Sequence, residues 1–399
     1  MQWSSAISRR AELADALTEI RGQLRGTLGS PPPDLVVAFA ATDRVEDLEE
    51  LPGLVAEVLA PRAFLGCTAA AVVGAPAMAA SGRAPVLSAT AASLPGVDLT
   101  TFHLQAGDLP DPDASPDHWE EVVGVPRRPD THFVLLSSPV GASSTGPSLF
   151  DPRPLLMGLD YAYGGGTRTG GVASALNENR LFAGGLASAS GCVGLALRGR
   201  LEVDPIVAQG ARPIGRPCSI TRCHRHQLAE LDGRPAVEVL VELFHQLPPR
   251  DQLLAQHRLH LGIATTELKR QLRAGDFLVR NILQLDHESG TIAVGDRLRR
   301  GQSVQFHLRD PGAAAREVTD LLTRYRPPTG PAGALLFTCT GRGPEFFAEA
   351  DGDARRFGEV LAGVPLGGVY CAGEIAPVGP ATYVHGYTAC FAVFRPPLS

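Results

Sequence analysis

The sequence predicts an α+β protein of two domains, each a mainly antiparallel sheet or sandwich flanked by helices. Three observations lead there. Apolar residues recur at helical spacing in a few amphipathic segments. Short uncharged runs, rich in branched residues and bounded by Gly or Pro, recur along the chain. The second half then repeats the grammar of the first.

From Ser5 to Arg25, Leu13, Leu17, Ile20 and Leu24 share one helical face, and Pro31, Pro32 and Pro33 end the segment. Leu35–Ala41 (LVVAFAA) is short and uncharged, as a buried strand is. A second helix is predicted from Arg44 to Leu59, and a strand at Ala63–Cys67 completes a βαβ-like start. Strands follow at Val86–Ala91, Thr101–Leu104, Phe133–Ser137, Val193–Leu197 and Val203–Ala208. Between Ala106 and Asp130, five prolines and five aspartates read as a loop or insertion. Ile220–Glu230 reads as a strand, and Ala236–His245 as a helix stopped by Pro248 and Pro249. The domain boundary is placed near Asp232, giving an N-terminal helix over 1–34, a first domain over 35–232 and a second over 233–399.

In the second half, strands are predicted at Arg258–Ala264, Asp276–Leu285, Thr291–Val294 and Gln302–Leu308, with a helix at Ala313–Tyr325. A strand at Ala334–Cys339, a helix at Asp353–Ala362 and strands at Leu366–Tyr370 and Val384–Phe394 complete it. A weak internal echo links Phe64–Thr68, Leu366–Ala372 and Gly184–Ser188, each an apolar run entering small residues. Small residues there admit a ligand or simply let strands pack tightly.

Composition narrows the function. The chain has 399 residues, 44% apolar and 20% charged, with net charge −6, so no basic face advertises nucleic acid. Its one lysine is Lys269, which makes 35 of the 36 basic residues arginine, a bias that reads as a coding preference. Seven scattered cysteines do not form a secreted disulfide framework. The N-terminus has no apolar signal-peptide core. Ala63–Ala80 carries no charge, but it is alanine-rich and interrupted by Gly66, Gly74 and Pro76, unlike a spanning helix. The expectation is a soluble cytoplasmic protein with no membrane partner.

Common catalytic signatures are missing: no phosphate-binding loop, no H-E-x-x-H, C-x-x-C or G-x-S-x-G. The run Gly164–Gly171 misses dinucleotide spacing by one residue, and no buried strand is predicted before it. Cys218, Cys223, His224 and His226 are the densest metal-type cluster, but their spacing fits neither a zinc finger nor a haem attachment; no metal is expected. Cys339-Thr340-Gly341-Arg342-Gly343 follows a buried strand, where a glycine-flanked Arg makes either an anion clamp or a tight surface turn. Cys371, Glu374, Tyr383, His385 and Tyr387 crowd a second strand end, as a pocket floor does. A thiol–imidazole pair, Cys371 with His385, leaves hydrolase chemistry open.

These runs resemble a known family. LFTCTGRGPEFF (Leu336–Phe347), PLGGVYCAGEIAPVG (Pro365–Gly379) and YVHGYTACFAVF (Tyr383–Phe394) are similar to the C-terminal half of FIST-domain proteins. FLGCTAA (Phe64–Ala70), GGVAS (Gly170–Ser174), GCVGLALRG (Gly191–Gly199) and QGARPIGRPCSIT (Gln209–Thr221) resemble the N-terminal half. The resemblance implies a bacterial sensory module of two α/β halves with a cleft between them. The implied ligand is a small molecule, amino-acid-like or an organic acid. With no output segment outside the match, the expectation is a stand-alone module that signals through a partner protein in trans, with a homodimer as one option. The residues it points to are Arg342 with Gly341 and Gly343 as an anion clamp, Glu374 for an amine or hydroxyl, and His385, Cys371 and Cys339 lining the same pocket. Arg212, Ser174 and Cys67 are implied from the first half. No cofactor is required; haem on His385, in a gas sensor, and a protein-interaction adaptor are the other readings.

Overall fold

The computed structural model describes residues 1–29, 31–42, 46–74, 79–81, 86–111, 113–139, 141–143, 146–148, 150–266, 272, 274–349 and 351–398. Packing divides the chain into two units, residues 1–208 with 318–399, and residues 209–317. The boundary expected near Asp232 therefore falls inside the second unit.

One order of elements occurs three times in the first unit. The first segment runs β1 (Gln2–Ser8), α1 (Leu13–Leu28), β2 (Leu35–Ala41), a 3-10 turn leading into α2 (Leu51–Val58), β3 (Ala63–Thr68), the hairpin β4 (Ala71–Val73) and β5 (Ala79–Ser81), then β6 (Val86–Ser93). The second runs β7 (Val97–Leu104), α3 (Pro116–Val123), β8 (His132–Ser137), a ribbon of β9 (Gly141–Ser143) and β10 (Gly146–Ser148), and α4 (Pro152–Tyr163). It ends with β11 (Arg168–Val172), the hairpin β12 (Leu181–Ala183) and β13 (Leu186–Ser188), and β14 (Cys192–Gly199).

The third segment opens with β15 (Glu202–Ala208) and is interrupted by the second unit. That unit comprises β16 (Ala211–His224), β17 (Gln227–Leu231), β18 (Arg234–Pro235), α5 (Ala236–Gln246), α6 (Pro249–Arg258), β19 (Leu259–Ala264), β20 (Phe277–Asp286), β21 (Thr291–Val294) and β22 (Ser303–Arg309). The third segment resumes within α7 (Pro311–Arg324), whose residues up to Glu317 belong to the second unit, and continues with β23 (Gly333–Cys339), a short α8 (Pro344–Phe347), α9 (Gly352–Val360) and β24 (Leu366–Cys371). The hairpin β25 (Gly373–Val378) and β26 (Ala381–His385), then β27 (Ala389–Arg395), complete it.

The three resulting sheets share one strand order: β1-β6-β2-β3-β12-β13, β7-β14-β8-β11-β25-β26 and β15-β27-β23-β24-β4-β5. Each has a parallel pair at its centre, β2/β3, β8/β11 or β23/β24. Each is extended by a hairpin from another segment: the first lends β4/β5 to the third, the second lends β12/β13 to the first, and the third lends β25/β26 to the second. The exchange is cyclic.

Alternation along the strands assigns the faces. Leu35, Val37 and Phe39 of β2, Val134 and Leu136 of β8, and Leu335 and Phe337 of β23 meet in one shared core. The intervening residues face helices: Val36 and Ala38 meet α1 and α2, Phe133 and Leu135 meet α3 and α4, and Ala334 and Leu336 meet α7 and α9. The second unit is a closed barrel of six antiparallel strands, β16-β22-β19-β20-β21-β17, joined by the pairing of β16 with β17. Its core holds Leu261, Ile292, Phe306 and Leu308, with Val237 and Leu240 of α5 packed in.

Several expectations need correction. The first eight residues of the helix expected from Ser5 are not helical; Gln2–Ser8 is a strand, registered against Ser93–Leu87 of β6. The proline-rich insertion contains α3, because Ser115 caps it, Pro116 suits its first turn, and Trp119 and Val123 supply a buried face. The glycine run contains β11, a central buried strand. Ile220–Glu230 spans two strands joined at Arg225, and Val384–Phe394 likewise spans two joined at Tyr387; both residues take positive φ, 54° and 61°. The described part of Ala63–Ala80 holds strands β3, β4 and the start of β5 with short links between them, and no helix among the described residues is long and apolar enough to cross a membrane. Lys269 lies outside the described residues.

At matching places in the three parallel pairs stands a glycine. A Cβ on Gly66, Gly170 or Gly368 would lie 2.2, 1.8 or 2.2 Å from the carbonyl oxygen of Ala38, Leu135 or Leu336, its partner across the pair. Gly66→Ala is therefore expected to cost about 1–3 kcal/mol or more by overpacking. Gly53→Ala, on the exposed face of α2 with open space around it, is expected to stabilise by about 0.5–1 kcal/mol. Urea unfolding of the two variants checks the contrast. A pH effect also follows. Burial pushes the imidazoles of His132, His260 and His307 down to about 4, whereas unfolded they titrate near ~6.5. Between these values the unfolded chain binds more protons, so stability rises with pH across that window and falls on acidification through it. His132 Nδ1 accepts the Thr167 N–H at 3.0 Å. His132→Asn, which keeps an acceptor there, should flatten the fall in Tm between pH 6.5 and 4.

Candidate functional site

The three parallel pairs end in Thr68–Ala70, Ala173–Ser174 and Cys371–Ala372, and the carboxyl ends of parallel strands are where α/β folds hold ligands. Here the ends are tied to one another. Ser174 Oγ accepts the Ala70 N–H at 3.1 Å and donates to the Tyr370 carbonyl, so one hydroxyl joins all three segments. The Ala372 N–H donates to the Val172 carbonyl at 2.9 Å.

Ser174 is half-buried. On the other side of Thr68–Ala70, the Arg180 N–H donates to Thr68 Oγ1 at 2.9 Å. The Arg180 guanidinium pairs with Glu49 at 2.6 Å and Glu178 at 3.1 Å, and its side chain keeps 17% of its exposure. Sequence reasoning missed Arg180. The available signal was the polar run Asn177-Glu178-Asn179-Arg180 after a glycine-rich strand.

Strand register shows where the segments stop resembling one another. Facing the shared core, Cys67 of β3 pairs with Leu181 and Val369 of β24 with Val72, both apolar combinations. The matching position in the second sheet pairs Gly171 with Glu374. Glu374 in turn pairs with His385, where the other hairpins have Leu181 with Ser188 and Val72 with Ala80. Gly171 is needed there: a Cβ would lie 2.2 Å from Cys371 Sγ.

Glu374 is wholly buried, and its Oε2 accepts the Thr388 N–H at 3.0 Å. His385 is buried too, with Nε2 3.0 Å from the Ala376 carbonyl. Axial ligation of haem by that nitrogen requires giving up this contact. Burial, then Glu374 and the neighbouring thiols of Cys67, Cys339 and Cys390, push the Cys371 thiol far up. Cys371 is thus a neutral core thiol, poorly suited to nucleophilic attack. Cys67 is 1% exposed, and burial raises its thiol as well.

Arg342 was expected to hold an anion, and it holds one: Asp353. Nε and Nη2 each reach an Asp353 oxygen at 2.8 Å, with both side chains almost fully buried. Thr338 Oγ1 donates to Asp353 at 2.8 Å, and Arg342 Nη1 donates to the Tyr387 carbonyl at 3.2 Å. The guanidinium carbon lies 5.1 Å from the Phe347 ring centre. Cys339 caps the short turn carrying Arg342, its sulfur accepting the Gly341 N–H at 3.4 Å, and its own N–H donates to the Thr388 carbonyl at 3.0 Å. Gly343 begins α8. Arg342, Cys339 and Glu374 therefore grip one turn, Gly386–Thr388, from below.

Arg212 is not in this unit. On β16 it pairs with Asp251 at 2.5 Å and Asp310 at 3.4 Å, and Asp310 accepts the Gly312 and Ala313 N–H groups at the start of α7. Cys218, Cys223, His224 and His226 lie along the β16–β17 hairpin, and no metal-type cluster occurs among the described residues.

The Arg342–Asp353 pair makes a stability prediction. Arg342→Ala leaves Asp353 buried without its partner and should cost about 3–5 kcal/mol. Arg342→Met with Asp353→Leu should recover part of that loss, since neither charge then remains. Urea unfolding tests it; a single-variant loss below about 1 kcal/mol would show that the pair is not what holds the turn.

The FIST N domain model matches residues 34–234 and the FIST C domain model residues 236–377. "Uncharacterized protein Rv0628c" of Mycobacterium tuberculosis is 31% identical over 409 residues, covering 99% of this chain and 100% of the relative. "Uncharacterized protein Mb0898c" of Mycobacterium bovis is 32% identical over 392 residues, 95% of each chain.

Proposed function

The chain belongs to the FIST family, whose domains are sensory and signal-transduction modules, and on that premise we propose that it binds a small amino-acid-like molecule or organic acid at the strand ends beside Ser174. Occupancy is passed to a partner protein. The observation that carries this reading is the local breakdown of a threefold pattern. Ser174 stands where the other segments have Ala70 and Ala372, and Glu374 with His385 replaces apolar pairings nearby. Burying a carboxylate is costly, and departures from a consistent pattern concentrate at functional positions.

Arg180 supplies the cation. Its guanidinium has donors for a ligand carboxylate, which would compete with Glu178 and Glu49. Ser174 supplies a hydroxyl that exchanges its Tyr370 or Ala70 bond for one to the ligand. Below, Glu374 holds Thr388 in a turn whose Tyr387 has positive φ, a backbone state that needs external support. Movement at the strand ends thus has a path to the half-exposed Tyr387, a surface a partner can read.

A thermal-shift screen of amino acids, organic acids and hemin, followed by calorimetry, tests the proposal. One amino or organic acid should raise Tm in a concentration-dependent way. Arg180→Ala should weaken it at least tenfold and Ser174→Ala severalfold, while Arg216→Ala leaves it unchanged. A ligand that binds Arg180→Ala and Ser174→Ala as well as the parent chain would sink the site, and a screen with no hit would sink the sensor reading at this position.

A further inference from the structure

We infer that the barrel unit carries its own binding site for a small monocarboxylate with an apolar body, in a cavity between β16 and α5. This does not rest on the strand-end reading. Between Ile214 and Cys218, four steps along β16 oppose only two along β22, from Phe306 to Val304. The surplus is a bulge at Gly215–Pro217, and bulges re-aim side chains beside functional sites. Gly215 takes φ of 62°, and a Cβ there would lie 2.8 Å from Leu243, so glycine lets α5 seat against the bulge. The Gly215 carbonyl accepts from Gln305 Nε2 at 2.7 Å, which fixes the bulge's shape.

A cavity of about 230 Å³ opens there. At protein packing density, with roughly 20 Å³ for each packed non-hydrogen atom, it takes a ligand of about eleven such atoms. Its floor is apolar: Cys218, Leu231, Phe306 and Leu243. Burial, with Asp232 alongside, pushes the Cys218 thiol up, so the floor remains neutral.

The rim carries two cations, Arg216 and Arg234. Arg216 Nη1 pairs with Asp232 at 2.9 Å, and Arg234 Nη1 pairs with Glu242 at 2.7 Å. These pairs orient both guanidinium groups while engaging one nitrogen of each, which leaves the Nε and Nη2 edges for a second, bidentate partner. Of the two acids Asp232 is closed, its Oδ1 accepting the Ser219 N–H at 2.8 Å and its Oδ2 facing Arg216, while Glu242 has only Oε2 engaged, by Arg234. Spare capacity at the rim is therefore mostly in donors, the Nε and Nη2 edges of two guanidinium groups against one oxygen of Glu242, which favours an anion over an ammonium group. The adjacent Asp232 and Glu242 disfavour a dianion such as a phosphate, so a single carboxylate above an apolar body fits best.

The probe is 3-phenylpropionate, with 3-phenylpropanamide and 2-phenylethylamine as neutral and cationic counterparts, titrated calorimetrically into the full chain. Saturable binding of the carboxylate is expected, at least tenfold tighter than either counterpart. Arg216→Ala and Arg234→Ala, both at exposed side chains that carry no core packing, should each raise Kd at least threefold, and the double variant at least tenfold. Ser174→Ala should leave it unchanged. Equal binding of the amide would overturn the carboxylate assignment. Binding lost in Ser174→Ala but intact in the double arginine variant would overturn this site and place the probe at the strand ends. No saturable binding of any probe would also overturn it.

Discussion

Close approach of paired backbones is the constraint on which the first unit rests. In each parallel pair a glycine faces the partner strand's carbonyl oxygen at a separation no Cβ tolerates. Those pairs sit at the centre of their sheets, with an antiparallel strand on one side and a borrowed hairpin on the other. A side chain at any of the three would spread the pair and shift the register of the hairpin beyond it. Because each hairpin belongs to a different segment, the disturbance would reach a neighbouring sheet.

The cyclic exchange explains why the three sheets share a core besides the one each makes with its own helices. Each segment alone has a four-stranded sheet with helices on one face, and that leaves its other face apolar. Lending a hairpin to a neighbour holds the three apolar faces together, with contacts such as the stack of Trp3 on Phe394 at 4.4 Å. Where polar groups are buried in this unit they are so in company. Glu374 meets Thr388, and Arg342 meets Asp353 and the Tyr387 carbonyl while Thr338 donates to Asp353. The bidentate pair is well placed to repay its desolvation because its remaining hydrogen-bonding positions are filled as well.

The barrel depends on different physics. Its strands are joined edge to edge all round, so no open edge remains among the six. Helix α5 covers part of it through Val237 and Leu240, and the bulge in β16 is where that cover and the barrel wall leave space. A charged rim above an apolar floor then follows from turn residues: Asp232 and Gly233, both with positive φ, bring Arg234 round to Glu242 while Asp232 faces Arg216.

Much of this was legible in residue order. Uncharged branched runs located β2, β8, β14, β23 and β24, because a strand buried on both faces has no solvent side to mark with charge. The similarity of Phe64–Thr68 to Leu366–Ala372 was a true sign of matching strands. Its third member, however, is Arg168–Val172, and the Gly184–Ser188 run belongs to a hairpin. That strand was hidden because its glycines answer to Leu135 and Cys371, residues distant in sequence, and local propensity treats glycine as a turn. The same limit governed the site. Sequence alone determined which residue types stand at the strand ends, Ser174, Cys371, Glu374 and Arg342 among them. Only tertiary structure decided that Arg342 is spent on Asp353, that Glu374 faces Gly171 in another segment's sheet, and that Ser174 joins three strand ends. Those partners are set by which segment lends its hairpin to which sheet, and pairing between distant strands leaves no periodic trace in the chain.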